Sequence, residues 1–258
     1  QMIVEGDDGQ EIIFTSIADD RYGAGGTFDT GNDGAIVVGT SNDPLAGDWG
    51  GIYASPLSKL SIDHALFAYG GGVTRIEGNF TAFNVVELHE ESEARVANSV
   101  FEFNEPAVIF VRQSQPIIYN NIFRNNPNED PSDNPADPND AVPAISINVN
   151  ALSYVLKQDT GRTTGGIDRV EGHRDNRGPL ILANRLHNNE TNGMVIRAQP
   201  LTTESVWDDT DIVHVLLDTV YVSDFHTFGG LTLASSPTDS LVVKLFNDPT
   251  GARTAGFQ

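Results

Sequence analysis

Short apolar runs separated by turn-forming residues follow one another along the whole chain. Runs such as Ile12-Ile13-Phe14, Val85-Val86-Glu87-Leu88 and Ile212-Val213-His214-Val215-Leu216 are rich in β-branched or aromatic side chains. Gly, Pro, Asn or Asp bounds each run, and these residues interrupt nearly every window before three helical turns could form. The pattern predicts an all-β protein made of many short strands.

An internal repeat organises these strands. In each copy, polar residues precede an apolar pair. The copies begin at His64, Asn98, Asn120 and Asn184, with a weaker copy at Asp218. Successive copies are offset by 34, 22, 64 and 34 residues. The shortest offset matches one coil of a parallel β-helix, in which each unit buries its edges by stacking on the next. We therefore predict a parallel β-helix, with a β-sandwich as the alternative fold.

The repeat also predicts columns of like side chains along the stack. The predicted inward apolar column consists of Leu66, Val100, Ile122, Leu186 and Val220. Asn98, Asn120 and Asn184 stand at predicted corners. Asparagine tolerates the left-handed backbone conformation, and stacked copies can pair their amides. We expect these three asparagines to form a ladder.

The spacing of the copies suggests a boundary and two insertions. Residues 1–46 are expected to form an N-terminal strand-rich segment or cap, and residues 47–258 the coils. Insertion 127–142 contains four prolines and five acidic residues, which predicts a solvated loop. Insertion 157–178 carries a third of the basic residues of the chain, and this local reversal of charge makes it a candidate binding surface.

Composition excludes several classes of function. The 36 acidic and 15 basic side chains give a net charge of −21, which repels nucleic acid and anionic lipid. The chain has no cysteine, so disulfides, thiolate metal sites and cysteine nucleophiles are excluded. No apolar run reaches 18 residues, so we expect no membrane span. Neither end carries a signal peptide or a cap, and we expect a segment of a longer protein.

Three strings of the sequence resemble a known class. They are FTSIADDRYGAGGTFDT at 14–30, GDWGGI at 47–52 and VWDDTDIVHVL at 206–216. They are similar to repeat segments of very large secreted bacterial surface proteins with the right-handed parallel β-helix fold. The resemblance implies a right-handed coil, an extracellular or cell-surface location, and neighbouring modules of the same large protein as partners. It implies no catalytic residues.

Two acidic clusters are candidate Ca²⁺ sites, because this cation prefers several carboxylate and carbonyl oxygens. The candidate ligands are Asp29, Asp33, Asp208, Asp209 and Asp211. The first two lie in a DTGNDG turn that resembles the start of an EF-hand loop but lacks its later acidic ligand. The pairs Asp7-Asp8 and Asp19-Asp20 can add oxygens only if the chain folds back. A solvated turn is the alternative interpretation.

The basic insertion supplies the candidate ligand-binding residues. These are Arg169, His173, Arg174 and Arg177, which suit an acidic sugar. Against an enzyme, Gly172-His173-Arg174 precedes Asp208-Asp209, the reverse of the order in polygalacturonase-like β-helices. The six histidines also lack zinc-site spacing.

These observations together predict a structural or adhesive segment of an extracellular bacterial protein. We expect stabilisation by Ca²⁺ and end-to-end assembly, with neighbouring copies or extracellular polysaccharide as partners. The alternative is a carbohydrate-binding or polysaccharide-degrading β-helix. Enzymatic activity is the less favoured interpretation.

Overall fold

Three sheets of parallel strands form the body of the protein. The computed structural model describes residues 1–34, 43–76, 81–82, 84–105, 107–126, 143–166, 168–173, 177–223, 225–247 and 254–258. Sheet 1 contains β1 (Met2–Glu5), β4 (Lys59–Asp63), β9 (Glu93–Ala97), β12 (Ile117–Tyr119) and β15 (Leu180–Leu182). Sheet 2 contains β2 (Ile12–Phe14), β5 (Ala65–Ala68), β10 (Val100–Glu102), β13 (Ile122–Arg124) and β16 (Arg185–His187). Sheet 3 contains β3 (Ile52–Ala54), β8 (Val86–Leu88), β11 (Ile109–Val111), β14 (Pro143–Asn148), β17 (Thr191–Arg197), β19 (His214–Leu216) and β22 (Val243–Leu245).

The remaining elements are small. Two parallel pairs join β18 (Ser205–Trp207) to β21 (Leu231–Leu233) and β20 (Thr219–Val220) to β23 (Gly256–Phe257). One antiparallel pair joins β6 (Thr74–Arg75) to β7 (Thr81–Ala82). In the described ranges, helix is limited to a 3-10 turn at Val149–Ala151 and to α1 (Phe225–Phe228). Within those ranges no helix has both the length and the apolar character needed to cross a membrane.

The chain visits the three sheets in a fixed order. It runs through sheet 3, sheet 1 and sheet 2 in β3-β4-β5, and repeats that order in β8-β9-β10, β11-β12-β13 and β14-β15-β16. We call one such passage a round. Each strand pairs in parallel with the strand of the next round. The all-β architecture is confirmed, its long parallel sheets are compatible with the predicted parallel β-helix, and the parallel pairing argues against a β-sandwich, whose sheets are antiparallel.

A stack of phenylalanine rings runs through sheet 2. Phe14, Phe67, Phe101 and Phe123 pair in register on adjacent strands. Their ring centroids are 4.9, 5.0 and 5.1 Å apart along the stack. The last three rings are fully buried. This spacing is close to the strand separation of a sheet, so each round adds one ring to the core.

Three of the five residues in the predicted inward column are displaced by one position, whereas Val220 is fully buried in the core, as predicted. Leu66, Val100 and Ile122 are partly exposed, whereas the phenylalanine that follows each of them is buried. Leu186 does pack against the core, because it pairs with Phe123 rather than with Ile122. An apolar pair does not reveal which member points inward, and a shift of one residue exchanges the two faces of a strand.

Asparagine side chains of neighbouring rounds pair with one another beside the phenylalanine stack. Asn120 donates to Asn98 at 2.8 Å, as predicted. The prediction for Asn184 was wrong by one residue, since Asn184 accepts from Asn121 at 3.1 Å. The alignment failed because a 63-residue offset separates the paired positions, where the repeat suggested 64. A longer ladder, which the repeat did not reveal, consists of the buried residues Asn104, Asn126 and Asn189.

The predicted N-terminal segment and the two predicted insertions can each be located relative to the three sheets. Within residues 1–46, β1 and β2 stack on β4 and β5 as members of sheets 1 and 2. Insertion 127–142 lies outside the described residues. Most of insertion 157–178 is described, and its contacts with sheet 1 are given below.

Candidate metal centre

Three carboxylates meet in the segment that follows β2. Asp20, Asp29 and Asp33 each place one carboxylate oxygen within 4.8 Å of the others. Asp29 and Asp33 are the first predicted Ca²⁺ cluster, and Asp20 belongs to an acidic pair nine residues earlier. The chain therefore folds back on itself here, which supplies the third carboxylate that the DTGNDG turn alone lacks.

Local backbone hydrogen bonds shape the turn that carries Asp29. Its carboxylate accepts from the backbone N–H of Asp33 at 3.0 Å and of Gly34 at 3.2 Å. Asn32 and Gly34 adopt left-handed backbone conformations, with φ of 53° and 96°. Asparagine and glycine reach this region more easily than other residues. The turn thus holds Asp29 and Asp33 on the same side as Asp20.

The electrostatics of this cluster favour a bound cation. Both carboxylate oxygens of Asp20 are shielded from solvent and have no hydrogen-bond partner. Loss of hydration raises the pKa of Asp20, and the charges of Asp29, Asp33 and Asp19 raise it further. A divalent cation between these carboxylates would replace the missing solvation and cancel their repulsion.

The neighbouring residues attach the cluster to sheet 2. Asp19 accepts hydrogen bonds from the Arg21 guanidinium at 2.8 and 2.9 Å. Burial would raise the pKa of Asp19, but hydrogen bonds from Arg21 and Thr15 outweigh it, and the pKa is lowered. Arg21 also lies over the rings of Tyr69 and Phe103, at 5.2 and 5.6 Å from their centroids. The candidate centre therefore sits next to a fixed anchor.

The second predicted Ca²⁺ cluster has a different arrangement. Asp208 accepts from the backbone N–H of Arg177 at 2.9 Å, and Asp211 accepts from that of Ala183 at 2.5 Å. Asp209 is buried, with one oxygen 3.8 Å from Nε2 of His214. Burial lowers the pKa of His214 to about 4, so its imidazole is neutral at pH 7. Among the described residues, these three aspartates do not form a group of three converging ligand atoms.

The basic insertion is folded against sheet 1. The buried guanidinium of Arg95 bonds the carboxylates of both Asp63 and Asp159, the latter at 3.0 Å. Asp159 also accepts from the backbone N–H of Gly161 and of Val170, both at 2.8 Å. These buried, charge-assisted bonds fix the start of the insertion on the sheet.

A second anchor joins the insertion to β1. Glu5 accepts from the backbone N–H of Thr163 at 2.7 Å and of Thr164 at 2.9 Å. Burial would raise the pKa of Glu5, but hydrogen bonds from Ser61 and from these threonines outweigh it and lower the pKa to about 2. The insertion is therefore held by negative charges of the sheet.

The predicted ligand-binding residues are spread over this insertion. Arg169 pairs with Glu171 at 2.7 Å on the exposed surface, and His173 Nε2 lies 2.7 Å from the carbonyl oxygen of Lys157. Arg177 donates to the carbonyl oxygen of Tyr154 at 2.9 Å and lies beside Asp208. Arg174 is outside the described residues. A sugar ligand for these residues remains a prediction.

Three clefts border the insertion within the described residues. The smallest, of about 430 Å³, lies over Lys59, Glu93 and Arg95 of sheet 1, and the two larger ones are candidate ligand sites. The first, of about 540 Å³, is lined by acidic, amide and hydroxyl groups, among them Glu90, Glu91 and Glu93. The second, of about 560 Å³, lies where the insertion meets β1 and the corner after β4. Arg169 is the predicted residue that lines the second cleft. Neither cleft could be foreseen from sequence, because each joins segments that lie far apart in the chain.

Comparison of the chain with protein-family models, with curated proteins and with solved structures found no match in any of the three.

Proposed function

We propose that this chain is a structural segment of a large extracellular bacterial protein, built as a right-handed parallel β-helix. The observation that carries the proposal is the stacking of Phe67, Phe101 and Phe123 beside the ladder of Asn104, Asn126 and Asn189. Both columns follow the direction in which rounds are added. A stiff rod stabilised in this way suits a mechanical or adhesive role.

Calcium binding at the N-terminal turn is the second part of the proposal. The support is the convergence of Asp20, Asp29 and Asp33 and the unsatisfied oxygens of Asp20. All candidate ligands are carboxylate oxygens, which suit Ca²⁺ better than softer metals. A bound ion would fix the turn beside the Arg21 anchor on sheet 2. Asp208, Asp209 and Asp211 remain a weaker candidate site.

End-to-end assembly is the third part. β1 and β2 are edge strands of sheets 1 and 2, and β22 is an edge strand of sheet 3. These strands expose large apolar side chains, including Ile13 at 40% and Leu245 at 52%. An unpaired strand edge with exposed apolar residues favours pairing with another chain. Neighbouring copies or modules are therefore the proposed partners.

The calcium proposal is tested by thermal unfolding in EDTA and in millimolar Ca²⁺. We expect Ca²⁺ to raise the Tm of the wild type by mass action. Asp20→Asn, Asp29→Asn and Asp33→Asn should each reduce that rise, whereas the exposed control Asp218→Asn should retain it. Loss of the rise in Asp208→Asn or Asp211→Asn alone would assign the cation to the second cluster. Absence of any Ca²⁺ effect would refute the proposal.

The assembly proposal is tested by sedimentation over a concentration series. We expect the wild type to form larger species as concentration rises. Ile13→Lys places a charge on the edge strand β2 and should shift the protein toward monomer. The control Ile17→Lys changes a more exposed isoleucine outside the strands and should leave assembly unchanged. A wild type that is monomeric at every concentration would contradict end-to-end assembly.

Carbohydrate binding is the second candidate function. The observation that favours it is the first cleft, where Glu90, Glu91 and Glu93 lie beside amide and hydroxyl groups suited to sugar hydroxyls. Titration calorimetry with neutral and acidic oligosaccharides tests it. Saturable binding that weakens in Glu90→Gln and Glu91→Gln would support this function. Binding that survives both changes would place the sugar elsewhere, and no binding would remove the candidate.

A further inference from the structure

A second group of metal-ligating side chains lies outside the candidate calcium centre. Asp63 ends β4, and His64 follows it at the corner before β5. Asp168 reaches the same place from the insertion. One ligand atom from each of these residues lies within 4.8 Å of the other two. Two distant parts of the chain are therefore brought together around a single imidazole.

Asp63 fixes the orientation and the tautomer of His64. The carboxylate of Asp63 is fully buried and bonds Nδ1 of His64, while Arg95 bonds its other oxygen. Asn98 donates to Asp63 at 3.1 Å and holds it from the next round. Because the carboxylate can only accept, Nδ1 carries the hydrogen, and Nε2 keeps its lone pair. A carboxylate behind the distal nitrogen is the usual support of a metal-binding histidine.

The corner position makes the choice of histidine unusual. The residues paired with this corner in later rounds are Asn98, Asn120 and Ala183, and all four have positive φ, with 48° at His64. Asparagine adopts this backbone conformation readily, and at this corner Asn120 pairs with Asn98. Histidine at the same place gives no ladder bond and instead contributes an imidazole at the surface.

Negative charges outnumber positive charges around His64. Arg95 pairs with Asp63 and Asp159, and Arg162 pairs with Glu5, Asp7 and Asp168. Two guanidinium groups thus face five carboxylates, which leaves three negative charges unmatched among these described pairs. Arg169, nearby, is paired with Glu171. A divalent cation at His64 would offset most of this excess.

The site is open to solvent. His64 and Asp168 line the second cleft, of about 560 Å³, together with Asp7 and Asp8. The side chain of Asp168 is 54% exposed, whereas that of Asp63 is fully buried. An ion can therefore reach the cluster without any change in the sheets, and the exposed carboxylate has freedom to adjust to it.

We propose that this cluster binds one divalent transition-metal ion of the Zn²⁺ class, with His64 and Asp168 as protein ligands and water completing the coordination. Asp63 acts as a positioning residue for the imidazole. A mixed set of imidazole nitrogen and carboxylate oxygen selects zinc and its neighbours over Ca²⁺ and Mg²⁺, which take oxygen ligands. This site is independent of the proposed calcium centre.

The test is a calorimetric titration of the tag-free, metal-free protein with Zn²⁺ in buffer that contains 2 mM Ca²⁺. The added Ca²⁺ competes for oxygen-only sites, so that Zn²⁺ reports on sites that contain an imidazole, and the variants assign the binding to His64. Co²⁺ titration followed by visible absorption provides a spectroscopic readout of nitrogen ligation. We expect one equivalent of Zn²⁺ to bind, with affinity at least tenfold weaker in His64→Gln and Asp168→Asn. The control His187→Gln changes an exposed histidine on β16 and should bind as the wild type does.

The outcomes separate clearly. Stoichiometric Zn²⁺ binding that both variants weaken would establish the site. Binding unaffected by both variants, or weakened only by His187→Gln, would overturn it, as would the absence of saturable binding in the wild type. If His64→Gln does not fold, Asp168→Asn alone decides the result, because the Asp168 side chain is 54% exposed and its ion pair with Arg162 is long, at 3.7 Å.

Discussion

Asn126 donates a hydrogen bond of 2.7 Å to the carboxamide of Asn189, although 63 residues separate the two positions in the chain. Asn126 also accepts from the backbone N–H and the side chain of Asn104, at 2.9 and 3.1 Å. All three asparagines are buried. One carboxamide therefore connects three successive rounds of the stack.

Replacing Asn126 by Ala should destabilise the protein by about 2 kcal/mol or more, because it leaves buried donors and acceptors without partners. Urea unfolding measures the effect. Asn188→Gly is the control, since Asn188 is exposed with φ of 54°, a conformation that glycine accepts, and it should change stability by less than about 1 kcal/mol. Equal effects of the two changes would contradict a special role for the buried ladder.

Phe101→Ala should cost about 3 to 5 kcal/mol, because it opens a cavity between two stacked rings. Its neighbour Val100 points to the other face and is partly exposed, so Val100→Ala should cost less than about 1.5 kcal/mol. Denaturant unfolding of the two variants tests which of the two side chains faces the core. A larger loss in Val100→Ala would place the core on the opposite face.

Asp20→Asn should stabilise the metal-free protein at pH 7. The pKa of Asp20 is raised above its ordinary value of 3.8, so its contribution to stability is complete below about pH 3.8 and is lost as pH rises through the folded pKa. The difference between variant and wild type should therefore be positive at pH 7 in EDTA and shrink toward pH 4. Tm values across this range measure it. A difference that does not depend on pH would argue against repulsion at this site.

Acid should weaken the packing around Trp207. The ring of His214 stacks on that of Trp207 at 5.6 Å, and burial lowers the pKa of His214 to about 4. The pKa of His214 is lower in the folded protein than in the unfolded chain, where it is about 6.5. The neutral ring therefore contributes its full stability above pH 6.5, and this contribution is lost as pH falls toward 4. We expect a loss of about 2 kcal/mol between pH 7.5 and 5 from this group. The loss should be absent in His214→Phe. Urea unfolding at several pH values measures the free energy of unfolding of both proteins, and an equal loss in the two would contradict this prediction.

The anchor of the insertion can be tested separately from the core. Asp159→Ala removes one of two carboxylates from the buried guanidinium of Arg95 and also frees the backbone N–H of Val170. We expect faster proteolysis within residues 157–178, because this segment loses its attachment to sheet 1. Glu171→Ala removes an exposed ion pair and should not change the cleavage rate. Identical cleavage of both variants would show that the anchor is not needed.

Sequence patterns predicted the positions of the strands better than they predicted which side chains of each strand point into the core. The all-β character and the parallel stacking followed from the repeat at His64, Asn98 and Asn120. The choice between Val100 and Phe101 as the inward residue did not, because both are apolar and only the packing of the next round decides. The repeat aligns Asn184 with Asn120 instead of Asn121 for a similar reason. The long insertions before Asn184 leave no nearby copy of the repeat from which the strand register could be counted.

The candidate sites show the same limit. The sequence identifies Asp29 and Asp33 because they share one turn, and it includes Asp20 only on the condition that the chain folds back. The His64 group was not identified, because Asp168 arrives through the anchor between Arg95 and Asp159, residues 64 positions apart. Spacing rules detect ligands that share an element, and they cannot detect ligands joined by tertiary contacts.

The rounds of this stack differ greatly in length. Equivalent positions in neighbouring rounds are separated by 34, 22 and 63 residues, yet each round adds one strand to each sheet. Backbone hydrogen bonding fixes the rise at about 4.8 Å per round whatever the number of residues. The width of each parallel sheet across its strands therefore depends on how many rounds contribute to it, and a shortened insertion would leave that width unchanged.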